Sequence, residues 1–216
     1  MVSYYIIIAI IAYLIGSINF SIIISKKVAG FDIRKKGSGN AGTTNMLRSV
    51  GKKAAAITLI LDILKGVVAI YVAMLYGYII RKFNMNAEIA IFIQISGIFV
   101  IIGHMYPLFF NFKGGKGVAT SLGILIVSNY QIGLICLVFA LILIILTKMV
   151  SVGSLGAAIL FPVLTVFLGN DNFLVEGNYL IYSIIIAIII VFNHRTNVKR
   201  LLNGNENKIS FKSKEK

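Results

Sequence analysis

Carboxylates are scarce in this chain: Asp and Glu number 7 among 216 residues, beside 2 histidines, a single cysteine and no tryptophan. A zinc or di-metal centre needs several His, Cys and carboxylate ligands held close together. No such cluster is visible, so no metal site is expected. The lone Cys136 cannot form an intrachain disulfide and, lying in an apolar stretch, reads as a small core residue. Nothing points to a Ser-His-Asp triad. The Walker A spacing G-x-x-x-x-G-K-[ST] is absent too, and no cofactor is expected. Charge of either sign is thin, at 13% of residues, where soluble domains carry about 25%.

Apolar residues fill the chain instead: 58% are hydrophobic and the mean hydropathy is +0.93. That excess is too large for a soluble core and makes lipid the natural solvent. Apolar runs fall at about 4–25, 54–80, 87–112, 118–147, 152–169 and 178–193, each long enough to be a candidate span. The run 118–147 is awkward. As one helix it would measure about 45 Å against a hydrocarbon core of about 30 Å, and the polar patch Ser128-Asn129-Tyr130-Gln131 lies near its middle. No Lys or Arg precedes Lys26, so the first run reads as a retained helix rather than a cleaved signal peptide.

The charge that is present is mostly basic, 21 Lys and Arg for a net +14. It sits between and after the apolar runs. That placement favours anionic headgroups and phosphorylated substrates over nucleic acid, and no nucleic-acid partner is expected. Residues 26–53 hold eight Lys or Arg and one acid, Asp32; residues 194–216 hold seven and two, the acids being Glu206 and Glu215. The 170–177 loop has no basic residue and carries Asp171 and Glu176. The positive-inside rule therefore puts 26–53 and the tail on the cytoplasmic side. An even number of crossings must separate them, which requires 118–147 to split into two helices. The expectation is an all-α integral membrane protein of seven transmembrane helices, N-terminus outside, with Arg81 and Lys82 as a mild violation on the outer side. Segments 26–53, 113–117, 148–154 and 194–216 then share the cytoplasmic face. A single membrane domain is expected over 1–208, with a basic tail at 209–216.

Those segments hold the polar motifs. Gly37-Ser38-Gly39-Asn40-Ala41-Gly42-Thr43-Thr44-Asn45 turns tightly, can present N–H groups to an anion and adds hydroxyl and amide donors, with Arg48 close behind as a bidentate phosphate clamp. A solvated turn between helices would be rich in the same residues. Lys113-Gly114-Gly115-Lys116-Gly117 opens the next helix as a second anion cradle, after Pro107 has ended or kinked the one before. Its glycines argue against a plain snorkelling lysine. His194 and Asn197 are three residues apart on a continuing helix and share a face able to donate to one anion. An ordinary basic end explains Arg195, Lys199 and Arg200 but not this pair. Inside the second span, Asp62 and Lys65 read as a structural ion pair or as supports for the first loop, and His104 as a hydrogen-bonded core histidine. Ser151 and Ser154 are helix caps or phosphate donors. Gly16, Ser17 and Asn19 are explained by helix packing.

The segments GSINF (16–20), DIRKKGSGNAGTTNMLRSVGKK (32–53), LDILKG (61–66), GHMYPLFFNFKGGKGVAT (103–120) and HRTNVKRLLNGNENK (194–208) together resemble the PlsY family of bacterial acyl-phosphate-dependent glycerol-3-phosphate acyltransferases. The resemblance spans nearly the whole chain in order and implies seven transmembrane helices. It also implies transfer of a fatty acyl group from acyl phosphate to the 1-hydroxyl of sn-glycerol 3-phosphate, the first acylation of phospholipid synthesis. The products are lysophosphatidic acid and inorganic phosphate. By that resemblance Ser38, Arg48, Lys116, Ser154, His194 and Asn197 hold glycerol 3-phosphate or stabilise the reaction, with Lys116, His194 and Arg48 catalytic. The loop Gly37, Gly39, Asn40, Gly42, Thr43, Thr44 and Asn45, with Gly114, Gly115 and Gly117, holds acyl-phosphate oxygens. Gly153 beside Ser154 departs from the pattern. The base is either His194 or a substrate phosphate oxygen. The expected setting is the bacterial cell membrane, multi-pass, with lipid and an acyl-phosphate-forming enzyme as partners. The His and Asp separated by four residues in many glycerolipid acyltransferases are missing: Phe109 and Lys199 stand at the matching places. Two rivals remain: a transporter or flippase for a phosphorylated solute, which predicts polar residues along a path through the bilayer, and a scaffold for anionic lipid, which leaves the glycine-rich segments unexplained.

Overall fold

The computed structural model describes residues 2–83, 87–168 and 178–209. The expectations for the loop carrying Asp171 and Glu176, and for the tail from 210, lie outside the described residues. Ten α-helices account for most of the rest: α1 (Val2–Ser17), α2 (Phe20–Ala29), α3 (Thr43–Ser49), α4 (Lys52–Phe83), α5 (Ile89–Met105), α6 (Val118–Ser128), α7 (Tyr130–Thr147), α8 (Val150–Leu168), α9 (Tyr179–Asn193) and α10 (Arg195–Leu202). No strand occurs among the described residues. The long helices are apolar on every side, as lipid-exposed spans are and amphipathic soluble helices are not. Ile145, Leu146 and Phe167 stand 73%, 74% and 78% exposed with nothing polar to excuse it.

Every expected run is helical, with breaks where polar residues interrupt it. The first run is broken at Ser17-Ile18-Asn19, where packing alone had been expected to explain the small polar residues. Asn19 instead caps α2, its Oδ1 accepting from the Ile22 N–H at 3.2 Å. The run 118–147 splits at Asn129 into α6 and α7. Asn129 Oδ1 caps α7 through the Ile132 N–H at 3.1 Å. Pro107 follows the end of α5, and a short 3-10 turn, Leu108–Phe110, comes next. The last expected run does not continue straight: α9 and α10 meet at His194 at an angle of 62°. Among the described residues, five helical stretches are long and apolar enough to cross a membrane, six if the bent α9–α10 pair counts as one. The 11-residue α6 falls short of that length.

Close crossings set the frame. A Cβ on Gly16 would run into the Val100 carbonyl and one on Gly103 into that of Tyr13, so α1 and α5 touch backbone to backbone. Around this contact lies the main core, with Ile8, Ile70, Phe92, Ile93, Val100 and Ile101 fully buried. A second, smaller core of Ile22, Ile33, Ala41 and Met46 lies beneath the loop that joins α2 to α3. A glycine-rich loop with its own core is held in shape rather than left as a solvated turn.

Candidate active site

The first loop is built around Asn45. Its Nδ2 donates to the carbonyls of Ile33 (3.1 Å), Lys36 (2.9 Å) and Asn40 (3.0 Å), and its Oδ1 accepts from the Ser38 N–H at 3.0 Å. Both ends of the amide are thereby spent on the loop. Asn45 shapes the cradle instead of offering its donors to an anion, a difference from the expected role. Gly37 sits behind it with φ 58°, where a Cβ would overlap Asn45 Oδ1, so this position needs glycine for the turn and not for the ligand. Arg34 fastens the loop to the next one. It pairs with Asp32 at 2.7 Å and donates to the carbonyls of Phe110 (2.6 Å) and Lys113 (3.1 Å).

The second loop hangs from the end of α5. The N–H groups of Gly114 and Gly115 donate to the carbonyls of Met105 (3.0 Å) and His104 (3.1 Å), orphan acceptors at a helix C-terminus. Asn193 Nδ2 donates to Gly115 O at 2.9 Å and ties the loop to the end of α9. Lys116 follows, directed at Asn197, and its Nζ donates to Asn197 Oδ1. Asn197 Nδ2 donates onward to Glu206 Oε1 at 2.8 Å, and Arg200 Nε to Glu206 Oε2 at 2.9 Å. The chain after α10 then crosses the site: Arg48 donates to Asn207 O at 3.2 Å, and the Ile209 N–H to Lys148 O at 2.8 Å.

These segments enclose one cavity of about 560 Å³. Its polar mouth is lined by Ser38, Asn40, Gly42, Thr43, Thr44, Asn45, Arg48, Lys116, Gly117, Ser151, Ser154, His194, Asn197, Arg200 and Glu206. Its depth is apolar and runs between α6, α7, α8 and α9 past Leu122, Leu125, Cys136, Ala140, Ala158, Ile186 and Ile190 to Phe161. A second recess of about 260 Å³ shares Ser38, Asn40, Lys116 and Arg200 with the first and adds Gly39, Gly114, Gly115, Asn193, Arg195 and Thr196. A polar recess and an apolar groove therefore meet at Lys116. Apart from Gly37, every residue expected at the site lines one of the two spaces.

Burial sets the charge states. It pushes the Lys116 ammonium down to about 8, with the positive charges of Arg200 and Arg48 adding to the shift and Glu206 opposing it. The His194 imidazole falls to about 4, by burial first and by Lys116 next. Its Nδ1 is 2.8 Å from Ile190 O and donates to it, which leaves Nε2 as an acceptor. In the neutral form His194 can receive a proton or orient a hydroxyl at Nε2; donation to an anion alongside Asn197 calls for the imidazolium. Burial raises the Glu206 carboxyl, but donation from Arg200 and Asn197 outweighs it and holds the group below its ordinary range.

Asn193, Arg200 and Glu206 were not singled out from sequence. Asn193 is the one amide in a helix otherwise of Ile, Val, Phe, Tyr, Leu, Ala and Ser, and Glu206 is one of few acids in a basic segment. Those were the available signals. Asp62 and His104 line the cavity; Asp62 pairs with Lys65 behind it at 3.0 Å, and His104 Nδ1 lies 3.6 Å from the same carboxylate oxygen. The pair makes no contact with the first loop's Asn or Arg groups among the described interactions.

Residues 6–204 match a protein family described as glycerol-3-phosphate acyltransferase. A glycerol-3-phosphate acyltransferase of Clostridioides difficile (strain 630) is 42% identical over 96% of this chain and 97% of its own length. One of Thermoanaerobacter sp. (strain X514) is 43% identical over 97% and 98%. Among solved structures, PlsY, described as an integral membrane glycerol 3-phosphate acyltransferase, superposes in its glycerol 3-phosphate form with TM-score 0.81 and 34% identity, covering 95% of this chain and 96% of that one. Its lysophosphatidic acid form superposes with TM-score 0.77 at 33% identity, covering 95% of each chain.

Proposed function

The chain belongs to the glycerol-3-phosphate acyltransferase family, and we propose that it transfers a fatty acyl group from acyl phosphate to the 1-hydroxyl of glycerol 3-phosphate, giving lysophosphatidic acid and inorganic phosphate. The observation that carries this reading is the junction at Lys116, where an apolar groove suited to an acyl chain meets a polar recess suited to a small phosphate. A transporter needs a polar path through the bilayer. Here the residues of α7, of α8 past Ser154 and of α9 that line the groove are apolar.

In the proposed reaction the glycerol oxygen attacks the acyl carbonyl carbon. A new ester C–O bond forms, the carbonyl carbon's bond to the phosphate oxygen breaks, and inorganic phosphate departs. Acyl phosphate is already activated, so no covalent enzyme intermediate is needed. Negative charge develops on the carbonyl oxygen and then on the phosphate; Lys116 and Arg48, with N–H groups of the two loops, are the donors available to meet it. Ser38, Ser154 and Asn197 hold glycerol 3-phosphate. His194 Nε2 accepts from the attacking hydroxyl and orients it. A substrate phosphate oxygen takes the proton, since a phosphate monoester with a second pKa of about 6 is a stronger base than an imidazole at about 4. No metal or cofactor enters this scheme.

The proposed setting is the bacterial cell membrane, crossed seven times, with both anion loops and the chain after α10 at the cytoplasmic face. An acyl-phosphate-forming enzyme is the natural supplier of the donor. The test is transfer of radiolabelled glycerol 3-phosphate into lipid by the purified protein, with palmitoyl phosphate or palmitoyl-CoA, for wild type and Lys116→Ala. Product from acyl phosphate alone, reduced about 100–1,000-fold in the variant, is the expected result. No product from either donor overturns the reading.

A further inference from the structure

The cluster of Asp62, Lys65 and His104 is made of three ionisable side chains, 2%, 4% and 4% exposed, on two apolar helices. Ionisable groups within a span are costly, and a buried ion pair can often be replaced by well-packed apolar residues without loss of stability. Packing alone therefore does not account for it. Its contacts lead to the second anion loop. Lys65 Nζ donates to the carbonyls of Gly16 (3.1 Å) and Ile18 (2.9 Å), the acceptors left over where α1 breaks before α2. The same break supplies Ser17 Oγ, which accepts from the Leu108 N–H at 3.2 Å and so anchors the turn between α5 and the loop. Asp62 holds Lys65 from one side and faces His104 from the other. The His104 ring tip lies against Gly115: a Cβ there would collide with His104 Nε2. Its backbone carbonyl accepts from the Gly115 N–H at 3.1 Å. The next residue is Lys116.

We propose that Asp62, Lys65 and His104 are positioning residues for the acyl transfer: Lys65 caps the broken α1, Asp62 couples it to His104, and His104 props the Gly114-Gly115 segment that aims Lys116. The assignment rests on the acyltransferase reading above. The first loop is shaped by Asn45 from within and tied to the second by Arg34, so the cluster's own contacts bear directly on the second loop alone.

The experiment compares kcat and the KM for glycerol 3-phosphate, per monodisperse protein in detergent and with palmitoyl phosphate as donor, for wild type, His104→Leu, Asp62→Asn and Lys116→Ala. Asp62→Asn keeps the shape of the side chain and an oxygen for Lys65, so it tests the idea should His104→Leu fail to fold. A catalytic loop displaced by about 1 Å loses on the order of 100-fold. The expected result is a kcat lowered about 10–100-fold in both cluster variants, with KM within about twofold of wild type and an unchanged melting temperature. That is the direction of Lys116→Ala, and a merely structural role would not produce it. Wild-type kcat in a folded cluster variant overturns the proposal, as does failure of both variants to yield monodisperse protein, which would make the cluster a determinant of folding alone. Full activity in Lys116→Ala would instead overturn the role given to Lys116 and leave the acyltransferase reading to the donor assay.

Discussion

Lys116 carries its charge in a place that disfavours it. Burial together with Arg48 and Arg200 brings its ammonium to about 8, so it is mostly cationic at neutral pH and loses its proton as the pH rises through about 8. The profile of kcat/KM reports the free enzyme. It should fall on the alkaline side with a midpoint near 8, and Lys116→Arg, whose guanidinium stays charged, should flatten that limb even where its absolute rate is lower. An alkaline limb that persists unchanged in the arginine variant would assign it to another group. Lys116 itself was legible in the sequence, because a lysine flanked by glycines is wasteful as a membrane anchor. Its restraints were not. Asn193, Arg200 and Glu206 converge only because α9 and α10 meet at 62°, and nothing in their spacing announces that bend. Asn45 was legible as a polar loop residue, but whether an amide faces a ligand or its own backbone depends on the loop's closure, which the spacing does not reveal.

At the scale of elements, α7, α8 and α9 wall the groove, and their residues set how deep an acyl chain can reach. On α8 the lining runs from Val150 through Ser154 and Ala158 to Phe161, a distance of about 16 Å at helical rise. Phe161, the last of these along the helix, is backed edge-on by Tyr179 at 5.9 Å and Tyr182 at 6.4 Å between ring centres. Phe161→Leu should deepen the groove and shift the preference toward longer acyl phosphates; Ala158→Leu should shorten it and shift the preference the other way. Each methylene gained or excluded is worth about 0.8 kcal/mol, or roughly fourfold in relative rate. Competition between palmitoyl and stearoyl phosphate reads this directly, and the same chain-length ratio in both variants would show that the acyl chain leaves sideways into the lipid before reaching Phe161. The groove was not legible as such. Apolar runs identify helices, but inward-facing and lipid-facing residues are equally apolar in a span, so composition does not say which face is hollow. The break at Asn129 was legible for the opposite reason, since a polar patch inside a long apolar run has to be placed somewhere.

Across the whole molecule, loop charge and hydrogen bonding both bear on which segments share an end. Charge parity puts 26–53 and 194–216 on one side of the membrane. Hydrogen bonding joins the same two segments through Arg48 to Asn207, and joins 113–117 to the second of them through Lys116 to Asn197. The proposed seven-span topology has α4 to α9 each cross, six crossings between Arg48 and Asn207. The weak member is α6, whose 11 residues span only about 16 Å, roughly half the hydrocarbon core. Single cysteines in a Cys136→Ala background test the topology. Lys52→Cys and Lys199→Cys should resist an impermeant maleimide in intact cells and react after permeabilisation, whereas Asn178→Cys should react from outside without it. Labelling of Lys52→Cys in intact cells would invert the orientation. Opposite behaviour of Lys52→Cys and Lys199→Cys would remove α6 from the count and be incompatible with the Arg48–Asn207 contact, so that single pair of labels decides between six crossings and five.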